Sequence, residues 1–206
     1  FMVLLLTGIF LIGFMVRIPY ANFPIDLDFG FYTYLAYFRR RGVKFVRDFW
    51  GWYTPIIPYL YLLVGRLFGE DVKYVRYLSN FYNLLTIIAT FMVTNYIFGQ
   101  NEAIIAALIY AIFSASPYLG AYSCHAEGFY VLPVTLAVFS IAHGLLTYES
   151  VYFLYAGGFI AVSFLLKVVS MVYFISILMF LLIQDYQRGA LYFFITFLSS
   201  IVLYTV

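Results

Sequence analysis

Two carboxylates, Asp28 and Glu127, and two cations, Arg76 and Lys167, stand in or beside stretches made almost wholly of Phe, Tyr, Leu, Ile and Val. An ionisable side chain in such a stretch costs at least ~2.5–3.5 kcal/mol if it sits at the middle of a bilayer, so each is a candidate functional group. The combination suggests a specific chemistry. A carboxylate held ionised by neighbouring cations can accept the proton of a hydroxyl. Lys and Arg can hold a lipid-linked phosphate through charge-assisted hydrogen bonds that strengthen as charge develops on a leaving group. Asp26 competes with Asp28 for the role of base. Each residue also has a plainer reading. Arg76 and Lys167 near helix ends can snorkel to headgroups, and Glu127 can be half of a structural pair. Cys124 and His125 adjoin Glu127, but a Cys-His pair without further ligands is a weak metal signal, and both read as packing. His143 reads as structural.

These groups must be positioned by elements built for lipid. The chain of 206 residues is 66% hydrophobic and 10% charged, with mean hydropathy +0.99, too little polar surface to cover a soluble globule. Backbone groups in hydrocarbon must bond internally, and the apolar runs lack the alternation of barrel strands, which leaves helices. The fold class is therefore all-α and polytopic. Seven runs read as crossings of roughly the required ~20 residues: 1–16, 74–98, 102–117, 124–146, 151–167, 169–184 and 190–206. Residues 1–16 lack the basic start and the small-residue cleavage site of a signal peptide. Short breaks around Gly99 to Glu102, Thr147 to Ser150 and Gln184 to Gly189 make neighbouring helices antiparallel. That alternation puts Arg76, Glu127 and Lys167 on one membrane face, together with the loop 17–73.

The loop holds most of the charge. Its stretch Phe29 to Phe38 is aromatic and ends in Arg39-Arg40-Arg41, which reads as a headgroup anchor, and Ile56 to Phe68 is short and apolar. Both read as helices lying on the bilayer, with 55–68 as a short crossing in the runner-up reading. Aromatic residues, 23% of the chain, suit the headgroup belt. The positive-inside rule taken alone puts this Lys/Arg-rich loop in the cytoplasm, although a loop that binds an anion needs cations for its own reasons. A net charge of +2 with no basic arm gives no argument for nucleic acid. A lone cysteine excludes an intrachain disulfide.

The order of these features resembles the N-terminal region of the GT-C-type glycosyltransferases, polytopic enzymes that use polyprenyl-phosphate sugars and include the protein O-mannosyltransferases and the aminoarabinose transferase. Asp28-Phe-Gly-Phe-Tyr32 is similar to the family's Asp-x-x-x-Tyr stretch in the first external loop. Arg47-Asp48-Phe49 and the segment from Pro55 to Gly69 resemble its juxtamembrane helices, and Val75-Arg76-Tyr-Leu-Ser79 its arginine motif. His125-Ala-Glu127 stands where members carry an acidic residue, and Gly157-Gly158 through Leu166-Lys167 resembles the Gly-rich helix ending in Thr-Lys. Departures are Phe29 where many members have Glu, Phe31 where the aminoarabinose transferase has Arg, and Thr54 in place of Lys or His.

The resemblance implies a seven-helix membrane module that transfers a sugar from a polyprenyl-phosphate donor to an acceptor hydroxyl on the non-cytoplasmic face, with inversion. It implies Asp28 as base, Glu127 as a second acidic site residue, Arg76 and Lys167 on the donor phosphate, and Tyr32, Arg47 and Asp48 as further site residues. The expected partners are membrane lipid, the lipid-linked sugar and an acceptor of unread class. No metal ligand set is read, and a divalent metal requirement stays open because branches of the family differ. The rival readings are a transporter of lipid-linked sugars, which needs no base, and a non-catalytic membrane subunit. The chain is expected to form one transmembrane module over 1–206, as a piece of a longer protein, since it starts without Met and ends inside an apolar run.

Overall fold

The structure is a computed structural model, and it describes residues 2–43, 56–121 and 124–205. The candidates Arg47 and Asp48, together with Thr54 and Pro55, lie outside the described residues. All regular structure among the described residues is helical: α1 (Met2–Met15), α2 (Leu27–Arg40), α3 (Ile56–Phe68), α4 (Val72–Ile97), α5 (Gln100–Phe113), α6 (Ala126–Thr147), α7 (Val151–Leu166), α8 (Met171–Ile183) and α9 (Gln187–Thr205), with short 3-10 turns at Ile18–Asn22, Pro117–Leu119 and Val168–Ser170.

Each apolar run read from the sequence is a helix within a few residues of its expected limits. Two segments, Met2–Asn22 and Ala126–Thr147, are long and apolar enough to cross a membrane by themselves. The others fall short of that test for different reasons. At 26 residues α4 has the length, but its first half carries Lys73, Arg76, Asn80 and Asn83. At 14, 16 and 13 residues, α5, α7 and α8 are shorter than a typical span. Outward faces remain apolar: of the 13 residues of α8, only Phe174 and Leu181 are buried.

Small residues bring the helices together. Ala103, Ala107 and Ala111 form a fully buried stripe on α5 that meets Ile9 of α1 and Leu84 and Ile87 of α4. At Gly13 a Cβ would come within 2.6 Å of Ile87 Cδ1 and 3.6 Å of Ala111, so α1 lies close on both neighbours. A second core joins α6, α7, α8 and α9 around Phe153, Ile160, Phe174, Phe193 and Phe197. At Gly157 a Cβ would run into the backbone carbonyl of Phe193, a close helix approach of the kind that drives association where lipid competes equally for apolar side chains.

The third core supports the site. Phe29, Tyr32 and Ala36 of α2 pack on Ile57, Tyr61 and Val64 of α3, and these rest on Val75 of α4, Phe129 of α6 and Leu166 of α7. Edge-to-face rings fix the pairing, with centroids 5.6 Å apart for Phe29 and Tyr61 and 6.0 Å for Tyr32 and Tyr61. The two loop helices therefore sit as one layer over the ends of α4, α6 and α7.

Candidate functional site

The site is assembled from three links between helices that meet at the same end of the bundle: the segment after α1, the α5–α6 connection and the α7–α8 corner. Arg17, just past α1, anchors the first to the second. Its guanidinium is 1% exposed. It donates to the carbonyls of Gly13 at 2.6 Å and Ala111 at 3.3 Å, and to Ser114 Oγ at 2.5 Å. Tyr20 adds a hydroxyl bond to the Ala115 carbonyl at 2.9 Å. A buried guanidinium is tolerated only when its donors are matched, and three oxygens on two elements match them here.

Asp26 and Asp28 enter through the start of α2. Asp26 is the N-cap, with its carboxylate accepting from the Phe29 backbone N–H at 2.9 Å. Asp28 lies in the first turn, where the helix dipole favours an anion. Arg76 holds the strand of chain that leads there. It is 3% exposed, donates to the carbonyls of Ala21 and Pro24 at 3.0 Å each, and stacks its guanidinium 5.0 Å from the centre of the Phe29 ring. Its Nε is buried with no hydrogen-bond partner among the described residues. The guanidinium thus grips backbone behind the carboxylates.

His125, the last residue before α6, stands between the two carboxylates. Its Nδ1 is 3.2 Å from Asp28 Oδ2 and its Nε2 is 3.4 Å from Asp26 Oδ2. The chain there is fixed from the other side, because the Tyr61 hydroxyl donates to the neighbouring Cys124 carbonyl at 2.9 Å. Cys124 itself is buried and free. Two residues on, Glu127 in the first turn of α6 forms an ion pair with Lys167 at the C-terminal end of α7. The pair is half-exposed, and the charge of Asp28 also acts on Lys167. A buried hydroxyl pair, Ser163 Oγ to Ser170 Oγ at 2.9 Å, ties α7 to the turn after Lys167.

Of the residues singled out by type and spacing, Asp26, Asp28, Glu127 and Lys167 come to one charged patch at the end of the bundle. Arg76 stands beside it with its guanidinium turned to Ala21, Pro24 and Phe29. Tyr32 is buried in the α2–α3 core. His125, read as packing from the sequence, joins both carboxylates. The signal that marks it is its position at the mouth of an apolar run two residues before Glu127, not any ligand motif. His143 lies elsewhere, stacked on Tyr96 at 5.2 Å and edge-on to Tyr152 at 4.3 Å. Arg39, Arg40 and Arg41 are engaged locally, with Tyr59, Glu70 and the Tyr37 ring respectively. Among the described residues no group of three or more His, Cys, Asp or Glu is arranged to hold a metal ion.

The patch has acceptors able to take a proton, a donor cation beside them and an apolar surround facing lipid, which suits chemistry on a membrane-borne phosphate. Residues 53–206 match the family model described as dolichyl-phosphate-mannose-protein mannosyltransferase. Comparison with curated proteins and with solved structures gave no match.

Proposed function

The chain belongs to the dolichyl-phosphate-mannose-protein mannosyltransferase family, and on that premise we propose that it is the membrane module of a glycosyltransferase moving a sugar from a polyprenyl-phosphate carrier to an acceptor hydroxyl on the non-cytoplasmic side. The family's description makes mannose the first candidate for the sugar. The observation that carries the reading is the meeting of Asp28, His125, Glu127 and Lys167 from three separate segments of chain. α1 and α4 to α9 are the seven crossings in this proposal, with α2 and α3 as surface helices of the 17–73 loop in a single module.

In the reaction Asp28 takes the proton of the acceptor hydroxyl as the hydroxyl oxygen attacks the anomeric carbon. The bond from that carbon to the phosphate oxygen breaks on the opposite side, so configuration inverts and the lipid phosphate leaves with the electron pair. Lys167 turns from Glu127 to the phosphate as its charge grows. Arg76 adds positive potential and steadies the segment that carries Asp26 and Asp28. Glu127 keeps Lys167 oriented until the donor arrives.

The test is Asp28→Asn in the full-length protein, assayed with radiolabelled polyprenyl-phosphate mannose. Transfer falls by about 10²–10⁴-fold, the usual contribution of a positioned base, while binding of the donor lipid persists. Transfer at the wild-type rate excludes Asp28 as the base. Movement of the lipid-linked sugar across the membrane without transfer replaces the enzyme reading with that of a transporter.

A further inference from the structure

Behind the charged patch, between α4, α5, α6 and the α5–α6 connection, lies a cavity of about 300 Å³. Its wall is unusual for so apolar a chain, since it carries Ser79, Asn83, Tyr110, Ser114, His125 and Glu127. We infer that this cavity is the seat of the donor's sugar ring, a neutral polyhydroxylated group, with the phosphate left outside it at Lys167; this rests on the glycosyltransferase reading.

Charge decides against a phosphate inside. The cations nearest the wall are already engaged by the protein's own oxygens: Arg17 donates to Ser114 and to two carbonyls, and Arg76 to Ala21 and Pro24. Lys167 is not part of the lining. The one carboxylate there, Glu127, would repel an anion and accept hydrogen bonds from hydroxyls. The side chains of Ser79, Asn83, Tyr110 and Ser114 carry no formal charge and are only partly used. Asn83 Nδ2 donates to the Ser79 carbonyl at 2.9 Å, and Asn83 Oδ1 accepts from Tyr110 at 3.2 Å. That leaves the amide a second hydrogen and a second lone pair to offer. Such alternation of donors and acceptors matches ring hydroxyls, and a site built to hydrogen-bond them rejects a ligand without them.

Size and position agree. The volume lies at the lower end of ligand pockets, about 300–1,000 Å³, which suits one ring and not a glycan chain. His125 and Glu127 belong both to the cavity wall and to the patch that holds Asp28 and Lys167. A ring seated in the cavity therefore has its phosphate-bearing carbon at the border between the two, where the base and the cation meet. Gly128 keeps the space open: a Cβ there would lie 3.7 Å from Asn83 Nδ2 and 3.9 Å from Ser79 Oγ, ordinary contact, and any longer side chain extends into the cavity.

The test compares binding of mannosylphosphoryl polyprenol with that of sugar-free polyprenyl phosphate to the full-length protein in lipid nanodiscs, without acceptor and without turnover. Wild type and Gly128→Ala bind the mannosyl lipid more tightly than the sugar-free one. Gly128→Leu, which fills the cavity, and Asn83→Ala, which removes its amide, each lose about tenfold for the mannosyl lipid, the worth of one good hydrogen bond, and nothing for the sugar-free lipid. If Gly128→Leu does not fold, Asn83→Ala carries the comparison. Equal loss for both lipids, or full retention of the preference by the folded variants, overturns the assignment, and retention also directs attention to the acceptor's sugar. Because the readout is binding, it separates this inference from the transfer chemistry: a protein whose Asp28→Asn form still transfers sugar defeats the base, not the cavity.

Discussion

His125 Nδ1 lies 3.2 Å from Asp28 Oδ2 while the other nitrogen of the same ring lies 3.4 Å from Asp26 Oδ2. One imidazole thus spans two carboxylates that start the same helix, and it comes from the N-cap of α6, 97 positions along the chain from Asp28. Restraint of this kind fixes the direction of both carboxylates.

His125→Ala is expected to lower the turnover number by roughly tenfold, within the range for misplacement of a positioned group, with a smaller rise in the KM for the donor lipid, since His125 also lines the cavity. His125→Gln, whose amide can still donate to one carboxylate, recovers part of the loss. Steady-state kinetics at saturating acceptor checks both, and a change in donor KM alone would move His125 from the base to the donor site.

Glu127 and Lys167 make a different kind of pair. Both are half-exposed, so their mutual contribution to stability is at most about 1 kcal/mol, and a double-mutant cycle on thermal unfolding should return a coupling of that size. On function the two should separate. Lys167→Ala raises the donor KM, because the phosphate loses its partner. Glu127→Gln leaves Lys167 in place and produces a smaller effect on KM. Equal kinetic losses for the two substitutions would instead make the ion pair itself the functional unit.

Arg76 is the residue whose loss should be felt in folding first. Its guanidinium bonds two carbonyls on separate points of the segment leading to Asp26, and hydrogen bonds from a charged group are worth about 1.5–3 kcal/mol. Arg76→Ala therefore lowers the unfolding temperature and reduces transfer as the Asp26–Asp28 turn loosens. Arg76→Lys restores the charge but not the planar fork, so it recovers little. A variant with normal stability and a selective rise in donor KM would show that the guanidinium meets phosphate directly.

Asp71 gives a pH-dependent prediction outside the bundle. It caps α4, and hydrogen bonds from the Lys73 side chain and backbone N–H hold its carboxyl below the ordinary carboxylate range. A lowered folded value means that the contribution is complete above the unfolded carboxylate value and is lost as pH falls through the folded one. The difference in melting temperature between wild type and Asp71→Ala should accordingly be present at neutral pH and shrink in acid below about pH 4, the ordinary range of the carboxyl group. A difference independent of pH assigns the effect to helix propensity instead.

Much of this architecture is written in the residues. Runs of Leu, Ile, Phe and Val set the helices, the polar breaks set their antiparallel order, and chain direction alone carries Arg76, Glu127 and Lys167 to the end of the bundle that holds Asp28. Two things are not legible there. The direction of a guanidinium is one, since nothing in Val75-Arg76-Tyr77 tells whether it turns to solvent or to the carbonyls of Ala21 and Pro24. The other is His125, whose partners are brought by the packing of Phe29 on Tyr61 and of Tyr61 on the Cys124 carbonyl. Those contacts depend on the fold of the loop helices and leave no periodic trace.

Gly157 offers the sharpest test of the packing itself. Its missing Cβ lets α7 approach the backbone of α9, where an added carbon would meet the Phe193 carbonyl and come within 3.0 Å of Thr196 Cβ. Backbone cannot step aside as a side chain can, so Gly157→Ala should destabilise by about 1–3 kcal/mol, the usual penalty of overpacking. Gly13→Ala meets chiefly the far end of the Ile87 side chain, at 2.6 Å, and rotation of that side chain should keep its cost lower. The adjacent Gly158, whose Cβ would find only Thr196 Cγ2 at 3.9 Å, should accept alanine without loss. Unfolding in mixed micelles should rank the three as Gly157→Ala, Gly13→Ala, Gly158→Ala from most to least destabilised, and a Gly158→Ala variant as unstable as Gly157→Ala would mean that α7 is rotated from the orientation in which Gly157 faces α9.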